Sequence, residues 1–318
     1  MPFSRFGGSP PYAPVAVGSP FSFPAVNEHT LIVGSSGSGK SYLVSRVAPS
    51  DARIILFKPD PLFSGVPLAS DSGLPSPFSF YPYDVADAYL YALGLDFSGI
   101  MASSLVPVLM SSLSAVRAEI DAKKETGKDV HPMDSFFRIL HKETEKVSSA
   151  VSRMIISHFG VLYPEYKAKR GRPSKDKLAS FASVSFAGLG RFRSEFGAEL
   201  YLRGMYSLIG SSFGVLVIDE FHHVARSGSV VDQLLREFRV SGRLIALTQS
   251  LSDVSPSMLA NFGYVLLGRS IHPKDISYLA SLSPALPRIV SGLPPRVFLS
   301  LGEYLVRSDP LPLYGWID

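Results

Sequence analysis

The sequence predicts an α/β fold, a mostly parallel sheet flanked by helices with a helical insertion in its middle. Three observations predict it. A short apolar run, Thr30 to Val33, leads through a Gly-rich loop into a helical stretch, Ser41 to Val47, the strand, loop and helix of one parallel unit. Further apolar runs stand at Arg53 to Phe57 (RIILF), Gly214 to Ile218 (GVLVI), Leu244 to Thr248 (LIALT), Tyr264 to Leu267 (YVLL) and Arg296 to Leu301 (RVFLSL). Continuous short runs of this kind suit strands covered on both faces. Between about 86 and 210 the pattern turns helical, with segments at 100 to 124, 133 to 159 and 194 to 209.

Taken in order, residues 1 to 27 are rich in Pro, Gly, Ser and Phe and have neither the helical nor the strand period, so they are expected to form a flexible arm. Residues 28 to 318 are expected to be a single domain carrying the insertion. The short helix after the first strand is stopped by Pro49, and Lys58 to Pro82 reads as a Pro/Ser-rich connection. Helix Val230 to Val240 links two of the later strands and ends before Gly242.

The absence of cysteine removes disulfides, thiol nucleophiles and thiolate metal sites. One basic residue and six prolines in the first 25 positions are not a secretory signal. Phe97 to Val116 has no charge over twenty residues, but its six serines, Gly99 and Pro107 point to a buried or interface helix and to no stable membrane anchor. The net charge of +4 is concentrated: Lys167 to Lys177 holds six basic residues and one acid, a net +5, which leaves the rest at −1.

Gly34-Ser35-Ser36-Gly37-Ser38-Gly39-Lys40-Ser41 fits G-x-x-x-x-G-K-[ST], a phosphate-binding loop. Its glycines let backbone amides curl around phosphate, Lys40 brings a point charge to the β- and γ-phosphates, and Ser41 offers a hydroxyl to Mg²⁺. The helix N-terminus that follows adds its dipole. Such a loop needs acids to hold the magnesium shell and polarise a water, and Val215 to Glu220 (VLVIDE) supplies them at a strand end. Asp219 is assigned to the metal and Glu220 to the water. Gln249, ending LIALT, reaches γ-phosphate or water if its strand neighbours that of Asp219. The expected ligands are therefore ATP and Mg²⁺. His222 and His223 follow the acids without a third ligand at metal spacing and read as structural.

The VLVIDE strand followed by Leu235 to Arg239 (LREFR) and LIALTQS resembles the HerA/FtsK superfamily, whose members pump DNA through rings. The similarity continues through Asp253-Val254-Ser255-Pro256, Asn261, Arg269 and Leu293 to Val306, and covers the loop region and roughly 213 to 307. It implies a RecA-like (ASCE) P-loop NTPase core, a ring homo-oligomer of six, nucleotide roles for Lys40, Ser41, Asp219, Glu220 and Gln249, and an arginine inserted by a neighbouring subunit. Arg239 and Arg269 are the two candidates, with Arg236 third; a surface ion pair is the alternative for each. The flanks are too short for an N-terminal barrel, a membrane anchor or a winged helix, so a near-minimal motor is expected. It resembles the genome-packaging ATPases of tailless, often membrane-containing, icosahedral viruses. That implies double-stranded DNA as cargo, capsid-vertex or membrane partners, and residence in the host cytoplasm or the virion.

The basic loop leaves two readings open. Arg170-Gly171-Arg172-Pro173 matches the core of an AT-hook, which enters a narrow minor groove, and Lys167, Lys169, Lys175 and Lys177 could contact phosphate without sequence preference. A solvated charge run between helices is the other. Two functional alternatives stand beside packaging: a membrane-associated phage assembly or secretion ATPase, and a plasmid or conjugative DNA pump.

Overall fold

The computed structural model describes residues 28–69, 76–96, 98–125, 131–144, 149–167, 183–208, 214–226, 228–237, 242–270, 272–300 and 313–316. The expected N-terminal arm lies outside them. β1 (Thr30–Val33) runs into α1 (Lys40–Val47), and β2 (Arg53–Leu56) follows. Five helices come next: α2 (Pro82–Leu93), α3 (Ile100–Glu125), α4 (Pro132–Thr144), α5 (Ser149–Lys167) and α6 (Arg191–Leu208), with the two-residue β3 (Val184–Ser185) before the last. Then come β4 (Gly214–Ile218), α7 (Val230–Glu237), β5 (Gly242–Thr248), α8 (Pro256–Leu259) and β6 (Tyr264–Leu267). α9 (Pro273–Leu282), α10 (Leu286–Ser291), β7 (Val297–Ser300) and β8 (Leu313–Trp316) are the last of the described elements.

Among the described residues one sheet holds all of the strands, in the order β3-β2-β4-β5-β1-β6-β7-β8. Pairing from β3 to β6 is parallel, whereas β6 to β7 and β7 to β8 are antiparallel. The register levels the strand ends, pairing Val33 with both Thr248 and Leu267, and Ile218 with Ala246. Gly34, Asp219 and Gln249 therefore all leave the sheet at its carboxyl edge, where ligands bind in open α/β sheets.

Alternation along the buried strands divides the core in two. Leu31, Val33, Leu216, Ile218, Leu244 and Ala246 face the insertion helices, while Ile32, Val215, Val217, Ile245 and Leu247 face Leu43 and Val44 of α1. The insertion helices are packed together by aromatic rings. Phe136 lies against Phe159 at 4.8 Å between ring centres, and Phe192 stacks on Phe196 at 5.6 Å.

Several boundaries differ from the sequence reading. The helix expected at 133 to 159 is two helices, α4 and α5, and α2 begins inside what reads as a loop. Pro82 supplies a first helical turn that needs no N–H, and Gly94 closes α2 in the left-handed region at φ 69°. α3 is long and apolar enough to cross a membrane, but Leu105, Leu109, Leu113 and Val116 are buried in the core; Ile100 and Met101 at its start are exposed.

Candidate nucleotide-binding site

The loop after β1 is shaped by close backbone approaches. Gly39 sits at φ 97°, and a Cβ there would lie 2.9 Å from Cγ of Arg296, so only glycine fits. At Gly34 a Cβ would lie 2.7 Å from Oγ of Ser38. The loop is also pinned from outside: the Ser35 amide donates to the Arg269 carbonyl at 2.8 Å, and the Arg296 amide donates to the Ser38 carbonyl at 2.8 Å. Arg296 is itself in the left-handed region at φ 68°, and its guanidinium lies 4.2 Å from the centre of the Tyr42 ring.

Lys40 opens α1 and turns back over the loop, donating to the Gly34 carbonyl at 2.7 Å and the Ser35 carbonyl at 3.2 Å. Burial lowers its pKa, opposed by the negative charges of Asp219 and Glu220. Ser38 is buried, and its Oγ has no hydrogen-bond partner among the described residues. An orphaned hydroxyl inside a glycine loop at a helix N-terminus fits a phosphate oxygen as its missing acceptor.

Asp219 and Glu220 follow β4. Asp219 is 8% exposed, and burial, reinforced by the charge of Glu220, pushes its carboxyl up to about 6. A buried acid held in that range gains from a divalent cation, so the residues present fit magnesium, with Asp219 and the Ser41 hydroxyl as its protein ligands. Glu220 turns back in the left-handed region at φ 50°, strained for a side chain with a Cβ. Its carboxylate is ringed by donors: Lys58 Nζ at 2.7 Å from Oε1, and Gln249 Nε2 at 3.0 and 3.1 Å from the two oxygens. Burial works to raise its pKa, but the hydrogen bonds from Lys58 and Gln249 prevail and hold it below the ordinary value.

Lys58 is the site residue that sequence reading misses. It stands two residues beyond β2, in a run read as a connection, and meets Glu220 only because β2 pairs with β4. Position after a strand that neighbours the Asp219 strand was the one available signal. His222 Nδ1 lies 3.3 Å from Glu220 Oε2 without a hydrogen bond's angle, while His223 stacks on Phe57 at 4.6 Å and approaches Glu195 at 3.6 Å. His223 therefore keys the turn after Glu220 to the insertion, and Arg226 adds a bond to the Tyr91 carbonyl at 2.7 Å.

A cavity of about 500 Å³ opens beside these groups, lined by Ser35, Lys58, His222, Gln249, Ser270 and His272 among others. Its floor is stiff. Asp275, 1% exposed, accepts from Ser250 Oγ at 2.6 Å and from Ser270 Oγ at 2.9 Å, tying the segment after β5 to the segment after β6.

The structure thus gathers Lys40, Asp219, Glu220 and Gln249 at one edge, and leaves the candidate arginines apart from one another. Arg269 is exposed beyond β6, with its carbonyl bonded to Ser35. Arg236 pairs with Asp232 at 2.9 Å on α7. Arg239 lies outside the described residues, as do Lys169, Arg170, Arg172, Lys175 and Lys177 of the basic loop; Lys167 closes α5.

No protein-family model and no curated protein matches the chain. Solved structures do. The plasmid coupling protein TrwB, in complex with the non-hydrolysable GTP analogue GDPNP, is similar with a TM-score of 0.64 at 15% identity, over 91% of this chain and 85% of that one. VirB4 of Thermoanaerobacter pseudethanolicus is similar with a TM-score of 0.62 at 15% identity, over 91% of this chain and 89% of that one. B204, the DNA-packaging ATPase of Sulfolobus turreted icosahedral virus, covers 92% of this chain and 99% of its own at 14% identity, but a TM-score of 0.41 is too loose an overlap to argue from. Identities this low show a shared fold and no more. The chain has the helix-flanked, mostly parallel α/β fold of the P-loop NTPases. Within that class its fold is of the kind found in TrwB and VirB4, in agreement with the HerA/FtsK resemblance of its sequence.

Proposed function

We propose that the chain is an ATP-hydrolysing motor that moves double-stranded DNA, working as a ring of identical subunits. The convergence of Lys40, Asp219, Glu220 and Gln249 at the carboxyl edge, around a loop with an orphaned Ser38 hydroxyl, carries this reading. The loop amides and Lys40 would hold the β- and γ-phosphates, and Ser41 and Asp219 would hold Mg²⁺, which when bound would supply charge neutralisation for the phosphates. Glu220 orients a water and takes its proton as the water oxygen bonds to the γ-phosphorus and the bridging bond to the β-phosphate breaks. Gln249 fixes the position of the γ-phosphate or of that water.

As to cargo, we favour packaging of a viral genome, on the packaging-ATPase resemblance of the sequence. Such a motor works in the host cytoplasm or at the packaging vertex of the virion. A plasmid or conjugative pump is the second reading, and the likeness to the plasmid coupling protein TrwB supports it. The test common to both is hydrolysis with and without long duplex DNA. DNA is expected to stimulate it, and Lys40→Ala or Glu220→Gln to lower kcat by at least about a hundredfold, the scale of a lost electrostatic or general-base contribution. Hydrolysis indifferent to DNA would refute the motor.

A further inference from the structure

The carboxylate that must polarise water already accepts from two other side chains. Lys58 donates to Glu220 Oε1 at 2.7 Å and Gln249 donates to both oxygens, so both lone pairs of Oε1 are taken, and the lysine charge makes the carboxylate a weaker base toward water. Of the two donors, Lys58 is the one outside the core. The Lys58 side chain is 55% exposed and can rotate at little cost, whereas Glu220 is only 11% exposed and is held by a backbone in the left-handed region. Lys58 is therefore the mobile partner of the pair and Glu220 the stationary one.

Lys58 also faces the phosphate loop. It lines the same cavity as Ser35, whose carbonyl accepts a hydrogen bond from Lys40, and the two lysine charges lie close enough to repel each other. A terminal phosphate entering there carries more negative charge and more acceptor oxygens than one carboxylate, so it outcompetes Glu220 for a mobile ammonium. A diphosphate, ending one group short, does not.

We propose that Lys58 is a second phosphate-binding lysine, transferred from Glu220 to the γ-phosphate when a nucleoside triphosphate binds, so that the terminal phosphate itself releases Glu220 to act on water. The inference rests on the nucleotide-site reading above and adds to it a residue and a way of telling triphosphate from diphosphate. Lys40 serves both nucleotides; Lys58 serves only the longer one.

The test is equilibrium binding of ADP and of a non-hydrolysable ATP analogue, each with Mg²⁺, to the full chain carrying Lys58→Met, Lys58→Gln or Lys58→Arg. In the two neutral variants ADP affinity is expected to stay within about twofold, while analogue affinity falls about tenfold, or about 1.4 kcal/mol. Lys58→Arg should recover most of the loss, which a purely structural role would not predict. Equal weakening of both nucleotides, or no change in the analogue-to-ADP ratio, overturns the inference. Lys40→Ala separates this failure from a wider one. If it weakens both nucleotides and the Lys58 variants change nothing, only the Lys58 inference falls; if it too changes nothing in a folded chain, the nucleotide site falls with it.

Discussion

A stability prediction follows from Arg203, which ties together two helices of the insertion, α2 and α6. Its guanidinium is 10% exposed and pairs with Asp87 on α2 and with Glu199 one turn back on α6, at 3.0 Å from the latter; Asp84 lies 3.5 Å away. Glu199 is wholly buried and also accepts the amide of Val230 at 2.9 Å, so the cluster sets the start of α7, between the two acids and the LIALT strand. Arg203→Met keeps the apolar stem and removes the charge, leaving Glu199 with no cation among its described contacts. Removing one partner of a buried ion pair costs about 3–5 kcal/mol. At about 2 °C per kcal/mol for a chain of this size, the midpoint of thermal unfolding should fall by about 6–10 °C.

The dependence on pH fixes the cause. Burial already holds the Glu199 carboxyl above its ordinary value, against the charge of Arg203, and without the arginine it rises further. A folded state that binds a proton the unfolded chain has released loses stability as pH rises. The deficit of Arg203→Met should therefore be smaller at pH 5 than at pH 8, and Glu199→Gln in the same chain should recover part of it at pH 8. The assay is urea unfolding at the two pH values. A loss below about 1 kcal/mol, the worth of an exposed pair, or a deficit that does not depend on pH would refute the reasoning.

Two further outcomes test the frame of the site. Gly39→Ala places a Cβ 2.9 Å from Arg296 Cγ in a left-handed backbone, a strain of about 1–2 kcal/mol before the clash is added. Binding of a triphosphate analogue should weaken about tenfold or more with secondary structure kept by circular dichroism, and unchanged affinity would show that the loop does not need this shape. Asp275→Ala leaves the hydroxyls of Ser250 and Ser270 without their acceptor. Two buried groups at about 1–3 kcal/mol each predict a loss of roughly 2–6 kcal/mol in urea unfolding, and a loss under about 0.5 kcal/mol would mean that neither hydroxyl depends on it.

Much of this was legible residue by residue. β4 and β6 fall on their predicted runs because a strand buried on both faces must be apolar at every position, which short-range reading detects. The phosphate loop is likewise local, since eight consecutive residues carry its glycines, lysine and hydroxyl. α2 was legible but misread: Pro82 looks like the end of a loop and is the first residue of a helix. β3 is two residues long and leaves no periodicity to read.

The sequence by itself therefore singled out the glycine loop, its lysine and the paired acids, and determined that they follow buried strands. It also determined the alternation between strand and helix, because these depend on neighbours a few residues apart. Tertiary structure alone decided that β5 lies between β4 and β1, which brings Gln249 to Glu220, and that β2 lies beside β4, which brings Lys58 across 162 residues to the same carboxylate. It alone pressed Arg296 against Gly39, and reversed the sheet at β7. Strand order and packing are set by the burial of whole faces at once, and no local pattern encodes which distant strand a given edge will meet.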